Sequence, residues 1–334
     1  MYEDLLSRAE DNVSAFEYDT AEKLYREYLD THQDDAAAWC SLGMLLSAMN
    51  NPTEAANALG NAFDLLPENP LYAEKLGEAL AVLHSFEEAK SLFERAAEND
   101  DSIYPKVRTA DMLFLLNNEE KAAEYLQLLA ADYPDEPDVW NRIYHQNLRA
   151  GKADEASAAL DKEISLRKAA AEKTNGAGEW FAYGMASLEK SAYADAESAF
   201  RCSLTQEESS DAHLSLAKVL VISGKTDEAR NEFAAGVGIE PRNLSFVLET
   251  ADTLSDLQLF EDAITYYTKA LELRNVRADT WASLSYALFL AGKKEEARAF
   301  FEMAKASAAV RELKWADKLH KTEKTAVLDE AFGA

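Results

Sequence analysis

The sequence Ala36-Ala-Ala-Trp39-Cys-Ser-Leu42-Gly43-Met-Leu-Leu46 is followed by the break Asn50-Asn51-Pro52, and then by Glu54-Ala55-Ala-Asn-Ala-Leu59-Gly-Asn-Ala62 and Leu66-Pro67. In each half the apolar residues recur three and four positions apart, which places them on one face of a helix. The asparagines and the proline between the halves favour a turn. Residues 36–67 therefore predict a hairpin of two amphipathic helices.

The same pattern recurs through the chain. The second helix of each hairpin carries an alanine at a fixed position, and the intervals between these alanines are 34, 34, 33, 34, 40, 33, 34 and 34 residues. The alanines are Ala21, Ala55, Ala89, Ala122, Ala156, Ala196, Ala229, Ala263 and Ala297. A period of this length is typical of repeat architectures, in which each hairpin buries its second face against the next one.

The run Trp-x-x-Leu-Gly that begins at Trp39, followed by Ala55 and the closing Pro67, resembles the tetratricopeptide repeat (TPR), a helical hairpin of about 34 residues. The resemblance extends over nearly the whole chain, with departures such as Asp111 and Tyr144 where the repeat has glycine. It implies an all-α fold: a right-handed α-solenoid of about nine TPR hairpins with a C-terminal capping helix.

The interval of 40 residues divides the array. The second helix of the fifth hairpin meets no helix breaker before Asn175-Gly176, so we expect it to be longer than the others. This predicts an N-terminal array of repeats one to five over residues 1–175 and a C-terminal array of repeats six to nine over residues 176–309. Residues 310–334 are predicted to form a capping helix around Trp315 and a tail, with no second helix after it.

The composition excludes several classes of function. With 34 Lys and Arg against 61 Asp and Glu, the formal charge is −27, which argues against binding to nucleic acid or to anionic lipid. No apolar stretch approaches the roughly 18 residues that a membrane span needs. The N-terminus lacks the features of a signal peptide, and Cys40 and Cys202 fall in different repeats. The sequence therefore predicts a cytoplasmic protein with reduced thiols and no membrane insertion.

No pattern in the sequence predicts catalysis. Ser223-Gly224-Lys225-Thr226 resembles the end of a phosphate-binding loop, but Val219 stands where that motif requires a glycine. Gly151, Gly224 and Gly292 instead share one position in their repeats, the turn between the two helices, where glycine tolerates a positive φ. The five histidines form no pair with metal-binding spacing, and no Cys-x-x-Cys occurs. We therefore expect no enzymatic activity, no cofactor and no metal.

The TPR resemblance implies a scaffold or adaptor that binds a protein or peptide partner. In this family the first helix of each hairpin lines a concave groove. The candidate groove residues at the matching positions are Glu10, Glu74, Glu78, Asp111, Asn141, His145 and Asp252. The Lys, Asn and Arg residues with which some TPR proteins hold a C-terminal carboxylate are missing from these positions, and Asn141 with Arg142 does not replace them.

The charge of these candidates predicts the partner. Carboxylates dominate the N-terminal half, and opposing cations are expected to be scarce, with Lys75 and Arg108 the nearest. A basic or amphipathic peptide is then the predicted ligand, and the basic segment over residues 311–324 of this chain is one candidate for it. Two alternatives stay open. The groove could bind through Leu, Phe and Tyr with its charges merely solvated, or the chain could be a homo-oligomerising structural protein that assembles end to end.

Overall fold

The structure, a computed structural model, describes residues 2–273, 278–310 and 323–332. These residues form helices joined by short turns, and no strand occurs among them. The chain divides into two compact units, Met1–Ala169 and Ala170–Ala334, and the division falls inside the tenth helix. The sequence placed the boundary a few residues later, where that helix ends.

The first unit is built from five hairpins of consecutive helices. Their bounds are α1 (Tyr2–Ser14), α2 (Tyr18–Leu29), α3 (Ala36–Ala48), α4 (Pro52–Leu65), α5 (Pro70–Val82), α6 (Phe86–Asn99), α7 (Ile103–Leu115), α8 (Glu119–Asp132), α9 (Pro137–Arg149) and α10 (Ala153–Thr174). Several starts are encoded locally. Pro52, Pro70 and Pro137 occupy the first turn of their helices, where a missing N–H costs nothing. The Asp35 side chain caps α3 by accepting a hydrogen bond of 3.0 Å from the backbone N–H of Ala38.

The described part of the second unit contains four further hairpins and one additional helix. Their bounds are α11 (Ala177–Glu189), α12 (Tyr193–Gln206), α13 (Ser210–Ile222), α14 (Thr226–Ile239), α15 (Leu244–Asp256), α16 (Phe260–Glu272), α17 (Ala278–Leu290), α18 (Lys294–Val310) and α19 (Glu323–Phe332). The helix α19 packs against α17. It was not predicted, because we expected a tail there, whereas the predicted capping helix around Trp315 lies outside the described residues.

The turn between the two helices of each hairpin confirms the repeat register. In every described hairpin the residue five positions before the marker alanine has a positive φ. These residues are Phe16, Asn50, His84, Asn117, Gly151, Ser191, Gly224, Gln258 and Gly292. The predicted positive φ of the three glycines is confirmed, with values of 69°, 77° and 82° in chain order.

Small residues allow the two helices of a hairpin to approach each other. Gly77 and Gly184 lie directly against the rings of Phe93 and Phe200, and both rings are completely buried. Each of the nine marker alanines is buried as well. Helix axes can come within about 8–10 Å only where such small residues meet, so the periodic alanines report the contact between helices.

The fourth repeat requires a correction of register. Asp111 was taken to stand in the glycine position of this repeat. In the structure Ala110 occupies that position and is fully buried, whereas Asp111 is partly exposed on the neighbouring face of α7. A buried contact between helices cannot accept an unpaired carboxylate, so the small alanine takes the position and Asp111 is left free for a surface role.

Replacing Ala263 by leucine should destabilise the eighth hairpin by about 1–3 kcal/mol, because extra methyl groups in a filled helix contact force the helices apart. Ala263 is completely buried in α16. The control is Glu261→Leu on the same helix. It removes only the exposed ion pair with Lys293 and should change stability by no more than about 0.5 kcal/mol. Equal midpoints in urea denaturation would show that the register is wrong.

Candidate protein-binding surface

In the first unit, the helix α5 presents two predicted site residues one turn apart. Glu74 and Glu78 flank the ammonium group of Lys75, whose Nζ lies 3.0 Å from Glu74 Oε1 and 3.2 Å from both carboxylate oxygens of Glu78. The hydroxyl of Tyr104, from α7, donates a 2.6 Å hydrogen bond to Glu78 Oε1. Burial, together with this bond to a carboxylate, raises the pKa of Tyr104 to about 12. The phenol therefore stays a donor at any physiological pH.

Asp111, on α7, is held between two guanidinium groups. Arg108 Nη1 donates a 2.8 Å hydrogen bond to Asp111 Oδ2, and Arg142 Nε, from α9, forms an ion pair of 2.8 Å with Asp111 Oδ1. The guanidinium of Arg108 also lies over the ring of Phe93, 5.4 Å from its centre, which is within the range of a cation–π contact. These contacts join the first helices of repeats four and five through one carboxylate.

Asn141 connects the same surface to the long helix α10. Arg142 Nη1 donates to Asn141 Oδ1 at 2.7 Å, and Asn141 Nδ2 donates to Glu163 Oε2 at 3.1 Å. The side chain of Glu163 is only 2% exposed, and Arg167 Nε donates to its other oxygen at 2.7 Å. Arg167 also bonds Asp138 at 2.7 Å. Burial alone would lower the pKa of Arg167, but the contacts with Glu163 and Asp138 raise it by more, so the guanidinium group stays charged.

The other predicted residues are Glu10, His145 and Asp252. Glu10 is exposed on α1. Burial raises the pKa of the Tyr25 phenol, and the nearby carboxylate of Glu10 raises it further. The ring of His145 packs beside Tyr144, 4.8 Å between centres. Asp252 belongs to the second unit, where it accepts a 2.6 Å hydrogen bond from the Tyr267 hydroxyl. Four of the seven candidates, Glu74, Glu78, Asp111 and Asn141, are thus brought together on the first unit.

The expected scarcity of cations on this surface is wrong. The three carboxylates Glu74, Glu78 and Asp111 are matched by three cations, Lys75, Arg108 and Arg142. We call these six residues the ion-pair ladder. Its cations are 33 and 34 residues apart, the spacing of the repeat itself. This periodicity was the signal available in the sequence, but which carboxylate Arg142 reaches depends on how neighbouring hairpins stack.

An apolar row accompanies the ladder on the same three helices. Val82 and Leu115 lie one helical turn after Glu78 and Asp111, which places them on the same helix faces. Val82 and Leu115 each lie two residues before the left-handed turn of their repeat, and Leu148 of α9 lies three residues before its turn. The three side chains are 61%, 46% and 53% exposed. Large apolar side chains left open to water on successive helices suit an interaction surface. We call these three residues the apolar row.

An open cavity of about 480 Å³ lies elsewhere in the first unit, where α2 and α4 end and α3 and α5 begin. Its lining includes Tyr28, His32, Asp35, Leu66 and Tyr72. Asp35 already accepts a 2.8 Å hydrogen bond from the Tyr28 hydroxyl and caps α3, and the Tyr28 ring stacks on His32 at 4.3 Å. These polar groups stabilise the connection between two repeats, and we assign them no further role.

The described part of the chain contains neither of two features that bear on function, a membrane-spanning helix and a metal-binding cluster. Among the described helices, none combines the length and the apolar character required to cross a bilayer. Within the same part of the chain, the His, Cys, Asp and Glu side chains form no group of three or more suited to holding a metal ion.

Solved structures with a similar fold include residues 41 to the end of MamA from Desulfovibrio magneticus RS-1, at 14% identity and a TM-score of 0.45, covering 50% of this chain and 96% of that chain. PilW, a widely conserved type IV pilus biogenesis factor, is 14% identical with a TM-score of 0.43, covering 60% of this chain and 90% of that one. The APC/C Cut9–Hcn1 heterotetramer matches at 18% identity and a TM-score of 0.41, and the match covers 70% of this chain and 45% of that chain.

A comparison with curated proteins finds no significant match. The tetratricopeptide repeat family, by contrast, matches residues 40–105 and 248–311, one region in each unit. Both regions contain the buried marker alanines and the left-handed turns of the hairpins described above. The family match and the repeated hairpin geometry agree, and the chain is therefore an all-α protein that contains tetratricopeptide repeats.

Proposed function

We propose that this chain is a cytoplasmic, non-enzymatic scaffold that binds a segment of another protein across the first helices of repeats three to five. The observation that carries the proposal is the ion-pair ladder on the first helices of three successive repeats, with exposed apolar side chains on the same three helices. Because each of the three helices presents both charged and apolar side chains, one continuous segment can contact all three. Repeat arrays commonly use such extended surfaces to bind protein partners, and TPR proteins bind protein partners as a family.

The proposed partner segment is amphipathic and carries basic residues. Its apolar side would cover the apolar row, as an amphipathic helix covers a hydrophobic groove. Its basic side chains would share the carboxylates of Glu74, Glu78 and Asp111 with the cations already present. The chain's overall charge of −27 favours the approach of a basic segment over long distances. Because each carboxylate is already paired, we expect the affinity to depend only moderately on salt.

Capture experiments with matched variants test this proposal. Full-length protein would capture partners from the native lysate, and binding of the captured segment would then be measured by calorimetry. Glu74→Lys with Glu78→Lys reverses two charges on the ladder. Glu87→Lys with Glu88→Lys makes the same change in charge at exposed positions of α6. A third variant, Val82→Asp with Leu115→Asp, places charges in the apolar row.

We expect the ladder and apolar-row variants each to weaken binding by about tenfold or more, about 1.4 kcal/mol, while the α6 control binds like the wild type. All variants should keep the same helical content by circular dichroism. Equal affinities for all four proteins would show that this surface is not the binding site. Light scattering on the same samples tests the alternative of end-to-end assembly, which requires a mass that rises with protein concentration.

A further inference from the structure

The last hairpin of the second unit is covered by a helix from its own chain. The Leu328 side chain of α19 is completely buried, and the ring of Phe332 contacts two other rings. It meets Phe289 of α17 edge-on, 5.8 Å between centres, and Phe301 of α18 at 6.0 Å. Arg298 Nη2 adds a long hydrogen bond of 3.4 Å to the carbonyl oxygen of Phe332.

The contacts of α19 have the pattern of an amphipathic helix in a binding site. Leu328 and Phe332 are four residues apart and so lie on one face of the helix, whereas Glu330 and Ala331 are exposed. Phe332 joins the partly buried side chains that extend the core of this unit, next to Phe289. The surface of α17 and α18 therefore accepts a helix with two large apolar side chains one turn apart.

A helix as short as α19 is stable only through its contacts with the rest of the protein. The helix α19 has ten residues, and isolated helices shorter than about 12–15 residues are marginal in water. It follows α18, which ends at Val310, after the twelve residues 311–322. A short connection gives a tethered segment a high effective concentration, on the order of millimolar for flexible linkers. Tethering therefore favours occupation of this surface by α19.

We propose that the surface of α17 and α18 around Phe289 and Phe301 is a second binding site, whose ligand is an amphipathic helix of a partner protein with Leu and Phe four residues apart, and that α19 is the tethered competitor for this site. The proposal extends the scaffold function proposed above and rests on it, but it uses residues of the other unit. A partner helix must displace α19, so its apparent affinity is reduced by the fraction of molecules in which the site is open.

A labelled peptide with the sequence of residues 321–334 is the probe for this site, and fluorescence anisotropy measures its binding to the full-length chain. The variant Leu328→Asp with Phe332→Ala should vacate the site, and we expect it to bind the probe about tenfold or more tightly than the wild type. Adding Phe289→Ser to that variant should remove the gain. The exposed Leu128 in the first unit provides the control, since Leu128→Asp should leave probe binding as in the wild type.

Circular dichroism checks that the vacated variant keeps the helices of the hairpins. If that variant loses them, the milder single change Phe332→Ala takes its place. A vacated variant that is folded but binds the probe no better than the wild type would overturn the proposal. A wild-type dimer that dissociates when the site is vacated would overturn it too, in favour of exchange of α19 between two copies. The two proposals can fail separately. Partner capture by the ladder variants tests the scaffold function of the first unit, whereas probe binding tests the site on α17 and α18.

Discussion

Gly43→Ala is expected to destabilise the second hairpin by about 1–3 kcal/mol, although it adds a single methyl group. A Cβ at this position would lie 2.5 Å from Leu59 Cγ, 2.9 Å from Leu59 Cδ2 and 3.2 Å from the carbonyl oxygen of Ala55. Leu59 is almost completely buried, and the Ala55 carbonyl belongs to the backbone, so neither can give way freely. The two helices must therefore separate at their closest contact.

The matched control is Gly60→Ala, in the same hairpin. Gly60 lies inside α4, and a Cβ there would meet nothing within 4 Å. Since alanine is a better helix former than glycine, this change should stabilise the protein by about 0.5–1 kcal/mol. The same replacement of glycine by alanine should thus lower the stability of the protein at position 43 and raise it at position 60. Hydrogen exchange over residues 36–65, measured by mass spectrometry, reports both effects locally, and equal protection in the two variants would contradict the described packing.

Arg167→Met should destabilise the fifth hairpin by about 3 kcal/mol. The replacement preserves much of the side-chain volume but leaves the carboxylate of Glu163, 2% exposed, with Asn141 as its remaining hydrogen-bond partner among the contacts described. Removing one member of a buried ion pair is costly because the other charge stays out of water without compensation. Hydrogen exchange over residues 137–165 provides the measurement.

Lys162→Met on the same helix is the control for Arg167→Met. Lys162 is 40% exposed, and its Nζ lies 3.8 Å from Asp135, so the loss of this surface pair should cost at most about 0.5 kcal/mol. If Arg167→Met were no more harmful than Lys162→Met, the buried pair would contribute little to the attachment of α10 to α9.

The hairpins could be predicted because their signal is local. The spacing of Ala55, Leu59 and Ala62 defines one helix face within three turns, and the repeat period then carries this assignment along the chain. The turn glycines follow from the same reasoning. In the fourth repeat the position of the helix contact was assigned one residue off, and the burial of Ala110 resolves the register there.

The ion-pair ladder could be predicted only in part. Lys75 with Glu78 and Arg108 with Asp111 are pairs within one helix, at a spacing of three residues that any sequence reveals. Arg142 reaches Asp111 from another helix, 31 residues further along the chain, and this depends on the stacking of two hairpins and on the long side chain of arginine. Glu163 and Arg167 are a pair within α10 at a spacing of four residues. Their contacts with Asn141 and Asp138 of α9 form only when the two helices pack, and these could not be predicted.

The helix α19 was missed for a different reason. Its apolar residues Leu328 and Phe332 provide a single four-residue spacing, too little to distinguish a short helix from a tail by periodicity. What stabilises α19 is the contact of Phe332 with Phe289 and Phe301, which lie 43 and 31 residues earlier in the chain. Such contacts depend on tertiary structure and leave little trace in local sequence.

The left-handed turns of the hairpins have a consequence for how this chain can change over evolutionary time. Only three of the nine turn residues are glycine, and the others include Phe16, His84, Ser191 and Gln258. A non-glycine residue in this conformation costs about 1–2 kcal/mol, which is less than the gain from burying one or two large side chains in the same hairpin. The turn can therefore drift between glycine and larger residues while the fold persists. Distant copies of such a repeat will lose the glycine long before they lose the buried alanine five residues later.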